Sequence, residues 1–352
     1  WAELLTGYCL ETLAGETVLI SGELEAQALV SETAKSVIRR GGIPIVRLEI
    51  PGLNEYLIDT GTFDQITYVP VSSFSDAGSV DSRVRILAET SVSRTVDPTK
   101  QAQFDKAREP LRRLASRKRW VLTQFPTSAY ARLAGMTLEE YEAFVCSSMF
   151  LDQSDPIAAW KELGKKQSRI IDLVKKGKNI RLIADGTDLQ LGVEGRKWIN
   201  SDGRRNMPSG EIFTGPLEKS ASGQLTCRQP VLRDGRILEN IVLKFEEGEV
   251  VEATASSGQD YLRAMIAMDE GSRFVGELGI GLNEGIDRFS GSILYDEKIG
   301  GTTHVALGSS YPETGGTNRS ALHWDFIIDM RKGGRILVDD RLVCQDGKWI
   351  FD

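Results

Sequence analysis

Histidine is scarce in this 352-residue chain, with His304 and His323 as its two copies. His323 belongs to the segment LHWDFIID, in which apolar residues alternate with His323, Asp325, Ile327 and Asp329. If this segment is a β-strand, its two-residue period puts His323 and Asp325 on one face, roughly 6.5–7 Å apart along the chain. An imidazole and a carboxylate at this spacing can bind one metal ion or two neighbouring ions.

Further ligands must come from other segments, and residue types alone leave their choice open. His304, in the apolar stretch HVALG, could come beside His323 from an adjacent strand. The nearby acidic candidates are Glu211, Glu277, Asp296, Glu297 and Glu313. Satisfied structural histidines and solvated surface acids would explain the same pattern. A three-histidine zinc site is excluded, because the chain has no third histidine.

Other catalytic motifs are missing or lie in the wrong context. Gly279, Gly281 and Gly285 have a spacing close to a dinucleotide-binding fingerprint, but they do not follow a strand and open a helix. Neither a GxSxG elbow nor a Walker GKS/T sequence occurs. The cysteines are scattered singly and form no CxxC pair, which favours reduced thiols: Cys9, Cys146, Cys227 and Cys344.

The overall charge and hydropathy narrow the function classes. Lys and Arg total 43 against 50 Asp and Glu, a net charge of −7, so no basic field attracts nucleic acid. No window approaches the roughly 18 apolar residues of a membrane span, and the first residues lack the order of a signal peptide. We therefore expect a soluble, cytoplasmic protein. The chain starts at Trp1 rather than Met, which indicates processing or truncation.

The first half of the chain alternates strands and helices. TVLIS, IPIVRLE, SRVRILAET and RWVLTQF have the composition of strands, while Leu24–Arg40 and Lys100–Lys118 have helical spacing. This order predicts βαβ units and a parallel sheet covered by helices. A further helical stretch ends in KKGK near Lys176. We therefore predict an N-terminal α/β domain over residues 1–176.

The second half of the chain has a different sequence pattern. Short alternating segments such as IRLIA, EIFTG and IVLKFEEGEVVEATA are separated by Gly, Asp and Asn turns, with one helical stretch over Gln259–Met268. This pattern predicts a mainly β (α+β) C-terminal domain over residues 177–352, which carries the histidines. At 352 residues the chain has about the length of two domains.

Two long segments of this second half are similar to a known family. The run GELGIGLNEGIDRFSGSILYDEKIGGTTHVALGSSYPETGGTNRSALHWDFIIDMR resembles the C-terminal block of the thermophilic-type metalloaminopeptidases, the family of aminopeptidase T, aminopeptidase S and aminopeptidase II. The run TDLQLGVEGRKWINSDGRRNMPSGEIFTGP resembles the first ligand region of that family. The similarity extends over nearly the whole chain and includes RWVLTQFPTSAYARLAGMTLEEYEAFV.

The resemblance implies specific site residues. It assigns metal-ligand roles to Glu211, Glu277, His304, His323 and Asp325, and it matches Tyr311 in SSYPETGG to the site tyrosine of the family. We expect Glu277 to bridge two ions and to steer the proton of the attacking water. Tyr311 is expected either as a ligand or as a hydrogen-bond donor to the tetrahedral oxyanion.

The activity implied is that of a dinuclear aminopeptidase on short peptides. Ligands that offer N and O but no thiolate suit zinc, cobalt or manganese, and two such ions activate water and bind a free α-amino group. The resemblance also implies a homodimer that encloses the active site. Three alternatives stay open: another metal-dependent amide or ester hydrolase with the same ligands, a non-catalytic metal-binding protein, and a nucleotide-dependent oxidoreductase.

Overall fold

The computed structural model describes residues 1–91 and 96–351. Packing of the Cα positions divides the chain into two compact units. The first comprises Trp1–Ile157 and Gly203–Pro208, and the second comprises Ala158–Asp202 and Ser209–Asp352. In the part of the chain that is described, no helix is both long and apolar enough to cross a bilayer.

The first unit is built on a parallel sheet. Its strands are β1 (Thr17–Glu23), β2 (Ile43–Glu49), β3 (Ser82–Leu87), β4 (Arg119–Gln124) and the short β8 (Asn206–Met207). They lie in the order β2-β1-β3-β4-β8, and all neighbours are parallel. The helices are α1 (Gln27–Arg39), α2 (Leu53–Thr60), α3 (Phe63–Thr67), α4 (Val71–Ser79), α5 (Pro98–Ser116), α6 (Ser128–Leu133) and α7 (Leu138–Ser148), after a π-helical turn at Leu4–Cys9.

Local sequence signals explain these elements. Val18, Ile20, Val84 and Ile86 alternate along β1 and β3 and are fully buried. Helix α5 begins after Asp97, whose side chain accepts from the backbone amides at positions 99 and 100. The predicted α/β architecture of the N-terminal half is confirmed.

The second unit is built on antiparallel sheets. An eight-stranded sheet has the order β14-β13-β10-β6-β5-β18-β19-β20. Its strands are β5 (Asn179–Ala184), β6 (Thr187–Gly192), β10 (Ser222–Cys227), β13 (Ile241–Glu246), β14 (Glu249–Thr254), β18 (Arg335–Val338), β19 (Arg341–Gln345) and β20 (Lys348–Trp349). A β-hairpin is formed by β11 (Val231–Arg233) and β12 (Arg236–Leu238).

A five-stranded sheet of the order β17-β16-β15-β9-β7 completes the second unit. Its strands are β7 (Ile199–Ser201), β9 (Glu211–Thr214), β15 (Val275–Gly281), β16 (Thr302–Gly308) and β17 (His323–Asp329). The helices are α8 (Pro156–Val174), α9 (Gln259–Ile266) and α10 (Ile293–Asp296). Short 3₁₀ turns lie at Glu270–Arg273 and Pro312–Thr314 in this unit, and at Leu24–Ala26 in the first unit. The predicted mainly β C-terminal half is confirmed.

The predicted domain boundary and the division between the two compact units lie at opposite ends of helix α8. From Ala158 onward it belongs to the second unit, where the side-chain amide of Gln167 donates to the backbone carbonyls of Ser201, at 3.1 Å, and of Glu211. The boundary after Lys176 lies at the other end of this helix, because the sequence marks where a helix ends but not which sheet it covers. Domains of 1–176 and 177–352 therefore stay a proposal.

Candidate metal centre

The residues predicted as ligands lie on neighbouring strands of the five-stranded sheet. Glu211 begins β9, Glu277 lies in β15, His304 lies in β16, and His323 and Asp325 lie in β17. Positions 277, 306 and 325 are directly paired across three adjacent strands, as are positions 279 and 304. Adjacent strands are about 4.8 Å apart, so this register brings the side chains of four strands into one cluster.

Gly279 makes room for this cluster. A β-carbon at this position would overlap the imidazole of His304, its partner across the two strands. At Gly281 a β-carbon would overlap the backbone carbonyl of Ile299. Two of the three glycines that resemble a dinucleotide fingerprint are therefore explained by close packing inside a sheet.

Two groups of side-chain atoms share Glu277. His304 Nε2 lies 3.6 Å from Glu211 Oε2 and 3.6 Å from Glu277 Oε1. His323 Nε2 lies 3.2 Å from Glu277 Oε2 and 3.7 Å from Asp325 Oδ1. Glu277 thus presents one carboxylate oxygen to each imidazole. Ligand atoms of Glu277, His304 and Asp325 also lie within 4.8 Å of one another.

Several polar atoms of the cluster are buried without a hydrogen-bond partner. In the described residues, Glu211 Oε2 and Asp325 Oδ1 are two such atoms. Burial of an unpaired carboxylate oxygen is costly unless a cation or a donor compensates it. The closest imidazole nitrogens, at 3.6 and 3.7 Å, lie beyond hydrogen-bond distance. These donors therefore fit a divalent metal ion.

The orientation of His323 supports the same conclusion. Its Nδ1 lies 2.9 Å from the carbonyl oxygen of Ser309. Since a carbonyl only accepts, the neutral ring carries its proton on Nδ1 and presents the Nε2 lone pair to Glu277 and Asp325. A backbone carbonyl in this position is the usual partner of a metal-binding imidazole.

The electrostatics of the cluster favour positive charge. Burial alone would raise the pKa of Glu277, but the imidazoles of His304 and His323 lower it to about 2. Burial would lower the pKa of His323, but Glu277 and Asp325 raise it to about 9. Burial raises the pKa of Glu211, against the opposing effect of Lys298. The shifts of Glu277 and His323 both indicate that Glu277 and Asp325 stabilise a positive charge placed beside them, as a metal site requires.

Tyr311 lies beside the second histidine. Its ring packs edge-on against the His323 imidazole at 5.3 Å between centroids and also contacts Phe213. Tyr311 is 41% exposed, and the His323 side chain is 29% exposed, whereas the His304 side chain is 1% exposed. The cluster is therefore open to solvent on the side of Tyr311 and His323.

Lys298 is a cluster residue that sequence reasoning missed. It is fully buried, its Nζ lies 3.4 Å from Glu211 Oε1, and it also forms an ion pair with Glu297. The sequence signal was a lysine in the segment YDEKIGGTTH, shortly before His304. Lys298 engages one oxygen of Glu211 and leaves the other toward His304.

The remaining acidic candidates do not join the cluster directly. Asp296 is buried, and its carboxylate accepts from Ser290 and Gly291 in its own loop. Glu297 reaches Glu211 through Lys298. Glu313 lies in the exposed turn that follows Tyr311.

Imidazoles and carboxylates without thiolates, held on a rigid sheet, form the ligand type of the divalent-metal-dependent hydrolases. The chain belongs to the thermophilic metalloprotease (M29) family, whose model matches residues 1–349. The family resemblance inferred from the sequence is thereby confirmed, and the chain is a metal-dependent protease by family.

Named relatives agree with this assignment. Aminopeptidase 2 of Geobacillus stearothermophilus is 26% identical over 409 residues, which cover 100% of this chain and 97% of that protein. Aminopeptidase T of Thermus thermophilus is 27% identical over 240 residues, which cover 59% of each chain. The solved structure of wild-type AmpT from Thermus thermophilus has a TM-score of 0.85 and 22% identity, with 99% of this chain and 98% of that chain covered. This last similarity establishes the fold.

Proposed function

We propose that this protein is a metal-dependent aminopeptidase that removes the N-terminal residue of short peptides at a dinuclear site. The observation that carries the proposal is the position of Glu277, with its two oxygens toward separate imidazole–carboxylate pairs. A carboxylate in this position can bridge two ions. The relatives named aminopeptidases support the reaction class.

The two groups of side chains define the proposed ligand sets. Glu211, Glu277 and His304 would hold one ion, and Glu277, His323 and Asp325 would hold the other. Nitrogen and oxygen ligands of this kind suit zinc, cobalt or manganese. When bound, such ions polarise the scissile carbonyl and make water nucleophilic at neutral pH.

The protein's own residues supply positioning and proton handling. Glu277 is ionised at neutral pH, since its pKa is lowered to about 2, and we propose that its carboxylate orients the proton of the attacking water. Tyr311 lies on the exposed side of the cluster, against His323. We assign to its hydroxyl a hydrogen bond to the carbonyl oxygen on which negative charge develops.

We propose that restriction to the N-terminal residue follows from the metal ions, which when bound would offer a position for the free α-amino group of a peptide. An acetylated peptide lacks this free amine. We therefore expect free-amino substrates to be cleaved and their acetylated counterparts to be spared.

Hydrolysis of leucine p-nitroanilide tests the proposal. The protein is assayed as purified, after exhaustive chelation, and after separate return of zinc, cobalt or manganese, with acetyl-leucine p-nitroanilide in parallel. We expect turnover to vanish on chelation, to return with a metal, and to require the free amino group. Equal cleavage of the acetylated substrate would point instead to a general amide or ester hydrolase.

A matched pair of variants connects this activity to the cluster. Glu277→Gln preserves shape and removes charge, whereas Glu270→Gln makes the same change at an exposed residue shortly before β15. We expect loss of turnover in the first variant and unchanged turnover in the second. A folded Glu277→Gln protein with full activity would refute the proposed site.

We also propose that the protein is a homodimer and acts in the cytoplasm. The edge strand β2 exposes Ile43, Val46 and Leu48, and exposed apolar edges favour pairing with another chain. The cysteines are free thiols, which suits a reducing compartment. Light scattering of the purified protein and fractionation of the source cells test the two statements.

A further inference from the structure

A pocket adjoins the metal-ligand cluster on the exposed side of strand β17. It has a volume of about 60 Å³, and Asp325 forms part of its wall. Since one water needs about 10–15 Å³ of such space, the pocket has room for a few heavy atoms, the size of one amino-acid side chain. Its other walls come from the end of β10, the hairpin strand β11, the loop before α10, and α10 itself.

Strand register connects this pocket to the cluster. Asp325 and Ile327 are two residues apart on β17 and therefore share a face. Ile327 is paired directly with His304 on β16. The pocket thus begins beside both a carboxylate and an imidazole of the cluster and continues along the strand.

The pocket wall is mainly apolar. It includes Leu232, Phe289, Ile293 and Ile327. Burial raises the pKa of the Cys227 thiol to about 11, so this residue is neutral and packs as a small apolar group.

Asp296, the second acidic residue of the wall, is occupied by its own loop. Its carboxylate accepts from the Ser290 amide and hydroxyl, both at 2.7 Å, and from the Gly291 amide at 2.9 Å. It therefore stabilises the wall rather than providing a free charge for a ligand.

We propose that this pocket binds the side chain of the substrate's N-terminal residue and selects aliphatic side chains such as those of leucine and methionine. The inference rests on the proposed aminopeptidase function. In an amino acid the α-amino group and the β-carbon are attached to the same atom, so an amino group beside Asp325 places the side chain at the pocket entrance. Charged side chains are disfavoured, because they would meet an apolar wall.

Ile293 offers a direct test, because it lines the pocket. Since it is 50% exposed, its replacement does not disturb the buried core. Ile293→Trp narrows the pocket. We expect the ratio of kcat/KM for leucine p-nitroanilide to that for alanine p-nitroanilide to fall at least ~10-fold, within the range by which apolar pockets discriminate methylene groups. Ile350→Trp, a change at an exposed residue outside the pocket, is the control and leaves the ratio unchanged.

A second variant keeps the test decisive if the first does not fold. Ile293→Ala widens the pocket, and we expect the kcat/KM of phenylalanine p-nitroanilide to rise relative to that of leucine p-nitroanilide. An unchanged substrate ratio in both folded, metal-loaded variants would overturn the inference.

Calorimetric binding separates this inference from the reaction itself. L-Leucinamide and glycinamide are titrated into the metal-loaded wild type and into Ile293→Trp. We expect tighter binding of leucinamide to the wild type, and loss of that difference in the variant. If no substrate is hydrolysed but leucinamide binds more tightly than glycinamide, the proposed reaction is wrong and the proposed role of the pocket is supported. Equal affinities of the two amides for the wild type would overturn the role of the pocket.

Discussion

Glu277 faces both imidazoles, with one carboxylate oxygen toward each ring. Asp325 faces one of them, so the two acids differ in how many ions they would hold. We expect Asp325→Asn to lose one equivalent of bound zinc and Glu277→Gln to lose both, each with more than ~100-fold lower kcat/KM, since even second-layer partners of ligands cost 10–100-fold. Elemental analysis after dialysis measures the stoichiometry. Retention of two equivalents by Glu277→Gln would contradict a bridging role.

Lys298 compensates charge inside the cluster. It is fully buried, and its removal leaves Glu211 and Glu297 without their cation. We expect Lys298→Met to destabilise the chelated protein by about 3–5 kcal/mol, the usual cost of breaking a buried ion pair. Bound zinc supplies compensating charge, so the loss is smaller in the loaded protein.

Thermal unfolding with chelator and with zinc measures both effects of Lys298→Met. Lys165→Met is the control, because Lys165 pairs with Glu162 on the surface, where ion pairs contribute little. If Lys298→Met lost the same stability relative to the wild type with chelator and with zinc, Lys298 would not balance the charge of the proposed ligands.

Strand β15 positions the cluster through its glycines. A side chain at Gly279 would overlap the His304 ring, so we expect Gly279→Ala to displace this imidazole and to lower zinc affinity at least ~10-fold. Gly164→Ala in α8 is the control, because a β-carbon there meets its nearest neighbour at an ordinary 3.5 Å. Zinc titration decides, with circular dichroism to verify folding. Undiminished affinity in Gly279→Ala would refute this packing argument.

The segment after Tyr311 is anchored by Glu218. Its carboxylate accepts from the amide and hydroxyl of Thr317, both at 2.7 Å, and pairs with Arg196 at 2.7 Å. Burial would raise the pKa of Glu218, but the Thr317 hydrogen bonds outweigh it and lower the pKa below 4.5. A carboxyl group with a lowered folded-state pKa stabilises the protein above its unfolded pKa, and this stabilisation is lost as pH falls through the folded value.

Glu218→Gln tests this anchor. We expect the variant to be less stable than the wild type by about 1–3 kcal/mol at pH 7, as for hydrogen bonds to charged groups. The difference stays constant down to about pH 4.5 and shrinks at lower pH. Urea unfolding between pH 3 and 7 measures it, and a difference that grows toward acid would reverse the assigned sign.

Across the molecule, the sequence predicted local elements better than long-range packing. The predicted helix Leu24–Arg40 is observed as Gln27–Arg39, and Gln259–Met268 as Gln259–Ile266, because periodicity and glycine endings are local properties. The sequence could not show which unit helix α8 packs against, because that depends on strands distant in the chain. Lys298 was missed because nothing local distinguishes a buried lysine from a surface one. Conversely, Glu211 and Glu277 were chosen through family resemblance rather than spacing.

The proposed dimer depends on the outer edge of the parallel sheet. Strand β2 is an edge strand, and Val46 and Leu48 are 39% and 42% exposed on its surface. A lysine there places charge in a pairing interface, which is how natural edge strands avoid association. We expect Leu48→Lys to convert the dimer into a monomer in light scattering, with unchanged thermal stability at low protein concentration. Val251→Lys makes a similar change on the edge strand β14 of the other unit and leaves the dimer intact. Dissociation by Val251→Lys but not by Leu48→Lys would move the interface from the first unit to the second.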